Sequence, residues 1–318
     1  MYNKQGAKMY NLETVAGTLN QVRTLHQDLF NKWVAYLDLS KNSTDTYTKD
    51  IRHFINYLKD NNITSPTRQD ILNYKQTLQD KGLKATTING YIMAIKQFFN
   101  WTETEHLYNN IAKNIKGAKV SNEFKKDYLT PDQAKQLLNS IDRTTDKGIR
   151  DYAIICLLIT TGIRTIELKR AKIEDLRQNN TVLFIQGKGR QDKAEYVKIA
   201  PETAKAIIDY LATRKDAKDN KPLFVSISNH NNEMEMTTRS ISRIVKNHLI
   251  DAGLKSDRLT AHSLRHTAGT LNLKAGGTLA ETQQLLRHKS INTTMIYSHI
   301  LDRENNNSEL RIANSIFN

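Results

Sequence analysis

The chain has 318 residues, with 47 Lys and Arg against 33 Asp and Glu, so it carries a formal charge of +14. Its 38% hydrophobic content is enough for a folded core, and its length suits two domains, since single cores stop growing near ~250–300 residues. Cys156 is the lone cysteine and the longest apolar run, Tyr152 to Ile163, is well short of the ~20 residues a bilayer span needs, which excludes a disulfide framework, a cysteine-based zinc cluster and a membrane anchor of that kind.

Residues 1–22 are polar and aperiodic, without the apolar stretch of a signal peptide, and read as a lead-in. Residues 23–116 are helical in pattern. Tyr47, Ile51, Phe54, Ile55 and Leu58 form one amphipathic stripe, with Ser43 or Thr44 as N-cap. Pro66 opens the next helix, whose stripe is Ile71, Tyr74 and Leu78, and Gly82 closes it. Ile88, Ile92, Ile95 and Phe99 mark a further helix to about Trp101. Residues 117–128 lack any period and carry several charges, as a linker does.

A second domain, 129–318, starts with Thr130 as cap and Pro131 at the first helical position. It is mostly helical with one strand-rich insert. Thr181–Gln186 and Ala194–Ile199 are β-like runs flanking a basic, glycine-containing tip at 187–193, and Leu223–Ile227 is a third candidate strand. Helices resume near Thr237, and Glu304–Asn318 has the pattern of a short terminal helix. The fold class is therefore mainly α with a small β-hairpin or sheet (α+β) in the second domain.

The charge surplus points to a polyanion, most often nucleic acid. The tip GKGR at 187–190 fails as a phosphate loop: its spacing fits neither the Walker nor the dinucleotide pattern, and strands rather than a helix flank it. His262 and His266 are four apart on a helix, but the glutamate of a zinc HExxH motif is replaced by Ser263. His262 and Arg265, three apart, share a helix face and would present an imidazole and a bidentate guanidinium to one phosphate. Arg164 follows a strongly apolar helix ended by Gly162, and Glu167 three residues on is placed to hold it. Tyr297, nine residues after His288, is unremarkable alone.

The order changes that. Arg164, Lys188, His262, Arg265, His288 and Tyr297, with the flanks TGIRTIEL, GKG, HSLRHT and LLRHKSINTTMIYSH, resemble the active-site boxes of the tyrosine recombinases, the family of phage integrases and Xer-type site-specific recombinases. The likeness is close over about 130–300. Over 22–116 it extends only to the size and pattern of the family's core-binding, SAM-like domain.

The resemblance implies a two-domain, C-shaped clamp on double-stranded DNA with paired recombination half-sites. It implies site-specific cleavage and rejoining through a 3′-phosphotyrosyl intermediate and a Holliday junction, with no metal, ATP or other cofactor, by a monomer that assembles as a homotetramer on DNA. The setting it implies is the bacterial cytoplasm, at the nucleoid, in a bacterial or phage-encoded protein. Tyr297 would be the nucleophile, Arg164 and Arg265 the phosphate clamp, Lys188 the general acid, and His262 and His288 partners of the phosphate or the tyrosine proton. Glu167 would orient the site. Lys84, Thr87 and Lys96 fall where relatives contact the DNA groove, His266 reads as a structural helix residue and His299 as flanking. The terminal helix would dock into a neighbouring protomer, and the lead-in leaves no room for an additional arm-binding domain.

One departure stands out: Arg287 occupies a position that is usually Gly before the second His, where a positive φ would strain it. Two other readings remain open, a type IB topoisomerase-like nicking-closing enzyme and a non-catalytic DNA-binding regulator of the same fold. A relaxase would need a His-hydrophobic-His metal triplet, which the sequence lacks.

Overall fold

The computed structural model describes residues 29–120, 127–187, 192–227, 234–300 and 308–317, the side chains of 298–300 excepted. The chain divides into two units, Met1–Asn122 and Glu123–Asn318.

In the first unit, α1 (29–36), α2 (Lys41–Asp60), α3 (Arg68–Asp80) and α4 (Ala85–Thr104) surround one apolar core. The sequence stripes supply it: Ile51 and Phe54 from α2, Ile71, Tyr74 and Leu78 from α3, and Ile88, Ile92, Ile95 and Phe99 from α4, with Trp33 and Trp101 filling the remaining space. Two helix starts differ from expectation. The N–H groups of Ser43 and Thr44 donate to the Ser40 carbonyl, so α2 begins one turn earlier and both residues lie inside it. Thr67, not Pro66, leads α3, and its N–H and hydroxyl both donate to Asp70 Oδ2 at 2.7 Å. Beyond α4 the chain is tied back: Arg68 donates to Lys113 O, Lys75 Nζ to Lys116 O and Gly117 O, and Asn89 exchanges two hydrogen bonds with Ala118.

The second unit is built around α6 (Asp146–Thr161), apolar on nearly every side and therefore buried on nearly every side. It packs against α5 (Pro131–Asn139), α8 (Pro201–Ala212), α9 (Thr238–Asp251) and α10 (Ala261–Lys274). A buried network steadies this packing: Arg150 donates to Asp151 and to Val225 O, and His248 Nε2 meets the other Asp151 oxygen at 3.0 Å. The sheet is antiparallel in the order β1 (Leu176–Arg177), β2 (Val182–Ile185), β3 (Glu195–Lys198). Val182 faces Lys198 and Ile185 faces Glu195 across the hairpin.

Leu223–Ile227 is not the third strand. Pro222 has no N–H to give, and the donors that follow are used elsewhere, Leu223 N–H on Ala171 O and Val225 N–H on the Tyr210 hydroxyl. Leu223, Phe224 and Val225 are buried all the same, held by single bridges at Pro222 and Val225. The terminal segment forms α12 (Ser308–Phe317), which leaves Leu310, Ile312, Ile316 and Phe317 exposed. Among the described residues, no helix is long and apolar enough to cross a membrane.

Gly162 ends α6 in the left-handed region, φ 61°. A Cβ there would lie 2.7 Å from Leu286 Cδ2 and 3.2 Å from Ala268 Cβ. Gly162→Ala therefore combines a strained backbone with overpacking, and urea unfolding should show a loss of about 1–3 kcal/mol.

Candidate active site

The close approach at Gly162 brings two helix junctions together. One is the turn between α6 and α7 (Thr165–Arg170); the other is the end of α11 (Leu279–Leu286). Arg164 is the N-cap of α7, and Glu167, one turn on, accepts from its N–H and from Nη1, each at 2.7 Å. This is the i, i+3 spacing expected from sequence, here closed into a ring that fixes the Arg164 side chain at the start of its own helix. Glu167 is fully buried, whereas Arg164 keeps 30% of its side chain exposed.

Arg265 lies on α10 and crosses between the junctions. It donates Nη1 to Gly162 O at 2.5 Å and Nη2 to Leu286 O. Arg287 crosses in the opposite direction, with Nη2 on Glu167 Oε2 at 2.9 Å and Nη1 on Leu285 O at 2.7 Å. Its backbone is left-handed, φ 51° and ψ 50°, the strained conformation that the motif position foreshadowed, at a cost of about 1–2 kcal/mol for a residue with a Cβ.

Two guanidiniums, those of Arg164 and Arg287, thus hold Glu167, and Arg265 is near enough to feel its charge. Burial pushes the Glu167 carboxyl up, but the Arg287 charge and the hydrogen bonds from Arg164 outweigh it and hold it below the usual carboxylate range. Burial, then repulsion from Arg164 and Arg287, lowers Arg265 to about 9, so it stays charged at neutral pH. His288 follows Arg287 directly and bonds Thr294 Oγ1 through Nδ1 at 2.9 Å. Burial and the positive charges of Arg265, Arg164, Arg287 and His262 lower His288 to about 4, so it is neutral in the free protein. Even allowing for Glu195, which acts on Arg287, positive charge is in excess, the condition for holding an anion.

Tyr297 sits beside this cluster but faces inward. On α10, His262, Arg265, His266 and Gly269 share one face. The Tyr297 ring lies against that face at Gly269, where a Cβ would come within 3.2 Å of Cζ, and packs in a small core with Ala268, Leu273 and Leu286. Its hydroxyl meets His266 Nδ1 at 2.7 Å, and only 1% of the residue is exposed. Burial pushes its pKa up to about 12, against a smaller lowering by Arg265. His266, read from sequence as structural, is therefore the tyrosine's direct partner. Its position one residue after Arg265 and four after His262 was the available signal, but helix spacing cannot show a partner 31 residues away.

Five of the six expected catalytic positions fall in the described chain, and the structure brings Arg164, Arg265 and His288 together, with Tyr297 adjacent and His262 at the exposed start of α10. Lys188 lies outside the described residues, as does the side chain of His299. The hairpin root is described: Lys193 pairs with buried Asp175 at 2.5 Å. In the first unit, Lys84 caps α4 and Thr87 lies in its first turn, both exposed. Lys96, nine residues after Thr87, is half a turn round the helix and lines a polar cavity of about 370 Å³ with Gln97, Asn100, Asn110 and Lys113. Among the described residues, no group of three His, Cys, Asp or Glu side chains is placed to hold a metal ion.

Residues 127–304 match the phage integrase family, and residues 30–106 match the phage integrase N-terminal SAM-like domain. Tyrosine recombinase XerA of Pyrococcus furiosus is 32% identical over 281 residues, covering 87% of this chain and 91% of its own. Tyrosine recombinase XerD of Listeria monocytogenes serotype 4b is 28% identical over 285 residues, covering 87% and 94%. Among solved structures, the post-cleavage complex of XerH site-specific recombinase with palindromic difH substrate has a TM-score of 0.67 at 24% identity, over 86% of this chain and 79% of that one. The Tn1549 transposon integrase with a circular intermediate DNA has a TM-score of 0.67 at 20% identity, over 85% and 93%. These two share the fold.

Proposed function

Since this chain belongs to the phage integrase family of tyrosine recombinases, we propose that it cleaves and rejoins duplex DNA at a specific site through a 3′-phosphotyrosyl bond to Tyr297. The observation that carries this reading is the clustering of Arg164 and Arg287 on the Glu167 carboxylate with Arg265 on the adjoining carbonyls of Gly162 and Leu286, neutral His288 beside them and Tyr297 adjacent. It is an anion site next to a nucleophile.

In the proposed reaction Tyr297 Oη bonds to phosphorus as the bond to the 5′-oxygen breaks. Arg164 and Arg265 hold the non-bridging oxygens, where negative charge grows as phosphorus becomes five-coordinate. Lys188 gives a proton to the departing 5′-oxygen, and the tyrosine proton passes to a histidine or the phosphate. The new 5′-hydroxyl of a partner strand attacks the phosphotyrosine in reverse, which makes the Holliday junction and needs neither metal nor ATP. Tyr297 is buried in the free protein, so the proposed attack requires that docking of DNA expose its hydroxyl. With domain limits 23–116 and 129–318, each unit would contact the duplex, and Lys84, Thr87, Lys96 and the surplus charge would track its phosphates. The apolar face of α12 would dock into a neighbouring protomer within a tetramer on paired half-sites. The setting would be the bacterial cytoplasm.

The test starts from the bound sequence, recovered by selection from random duplexes and mapped by footprinting. On that site, nicked near the cleavage point so that the 5′-fragment diffuses away, the native chain should form a covalent adduct that mass spectrometry places on Tyr297. Absence of any adduct on a site the protein demonstrably binds rejects catalysis and leaves the non-catalytic regulator. Relaxation of supercoils on any sequence would favour a topoisomerase.

A further inference from the structure

We propose that Arg287 is a positioning residue of the strand-cleavage reaction, its guanidinium holding Glu167 so that Glu167 in turn fixes Arg164 against the scissile phosphate. The inference rests on the function proposed above and adds a residue to it.

Arg287 is poorly placed to touch DNA itself. Its side chain is 9% exposed and is turned inward, with both terminal nitrogens already engaged. Its target is equally enclosed. Glu167 spends Oε1 on the Arg164 side chain, and Oε2 on the Arg164 N–H and on Arg287. The bonds from Arg164, through Nη1 and its N–H, tie the carboxylate only within the start of α7; it is anchored to the rest of the site when a group from another element holds it as well. Arg287 does so from a chain segment 120 residues away, joining the end of α11 to the start of α7.

The backbone adds an independent indication. A left-handed residue is most easily a glycine, and at Arg287 the chain keeps a long cationic side chain in that conformation. A tolerated surface arginine would point to solvent. This one returns across two turns to the carboxylate that orients Arg164, and Arg265 lies between on the carbonyl of the preceding residue, Leu286. A shift of Glu167 by a fraction of its hydrogen-bond length would therefore move Arg164 relative to Arg265, and the two must bind oxygens of one phosphate.

The measurement is single-turnover adduct formation on the nicked site at saturating protein, with DNA affinity and thermal unfolding read in parallel. Arg287→Gly removes the guanidinium and relieves the left-handed backbone while Glu167 keeps both bonds from Arg164, so the melting temperature should fall less than in Glu167→Ala, and rates are compared well below it. Its maximal rate should fall about ten- to a hundredfold while affinity stays within about twofold. Arg287→Lys should recover part of the rate, since it keeps the charge without the fork. In a Glu167→Gln background, Arg287→Gly should cost little more, because both act through one carboxylate. An unchanged rate in Arg287→Gly beside an active parent overturns the inference alone, as does weaker binding with an unchanged maximal rate. A parent chain that forms no adduct on its bound site overturns the proposed function and this inference with it.

Discussion

Tyr297→Phe is expected to bind its DNA site as the parent does and to form no covalent adduct at any incubation time. The substitution removes one oxygen, the nucleophile of the proposed reaction. The ring remains, still packed over Gly269 and against Leu286, so no cavity opens. What is lost in the free protein is the 2.7 Å hydrogen bond with His266, worth about 0.5–1.5 kcal/mol net. Tyr297→Ala would confuse the experiment, because emptying this small core costs about 3–5 kcal/mol and unfolding would imitate loss of chemistry. The decisive readings are therefore denaturing gel electrophoresis for the adduct and a binding isotherm for the same preparation. An adduct formed by Tyr297→Phe would place the nucleophile elsewhere and leave the buried tyrosine a packing residue.

That Tyr297 could be singled out as a candidate from sequence and its buried position could not has a physical cause. Motif order and local spacing report what a residue's own helix presents. Arg164 and Glu167, three apart across a helix start, were legible for that reason, as were the core stripes of α2, α3 and α4 and the glycine stop at Gly162. The contacts that set the state of the site are tertiary: His266 on Tyr297, Arg265 on the carbonyls of Gly162 and Leu286, and Arg287 on Glu167. No period in the sequence reports a partner 31 or 120 residues away. The strand expected at Leu223–Ile227 failed for a related reason. Its apolar residues are buried as the pattern implied, but where its backbone hydrogen bonds go depends on Ala171 and Tyr210, which the run itself does not contain.

Glu167→Ala should be the most destabilising single change at the site, costing about 3–5 kcal/mol in urea unfolding at neutral pH, the usual penalty for removing one partner of a buried ion pair. Arg164 can turn toward solvent when the carboxylate is gone, since it is already part-exposed. Arg287 cannot: it would be left enclosed without its carboxylate, close enough to Arg265 for the two like charges to repel. Acid should imitate the substitution in two stages. His288, lowered to about 4 in the fold from an ordinary 6.5, takes up its proton more readily unfolded, so stability falls as pH drops from about 6.5 toward 4. Glu167, held below its ordinary range, contributes stability that is present above pH 4.5 and lost as pH falls through its folded value. Glu167→Ala should lose the Glu167 share of the second stage and keep that of Asp142, Asp216 and Glu281, whose carboxyls are also held below their ordinary range. Adding Arg287→Gly to that variant should then raise its urea midpoint, because the double change removes both the stranded charge and the left-handed strain. A Glu167→Ala protein that unfolds at the parent's midpoint would show that the guanidinium cluster is held by something other than this carboxylate.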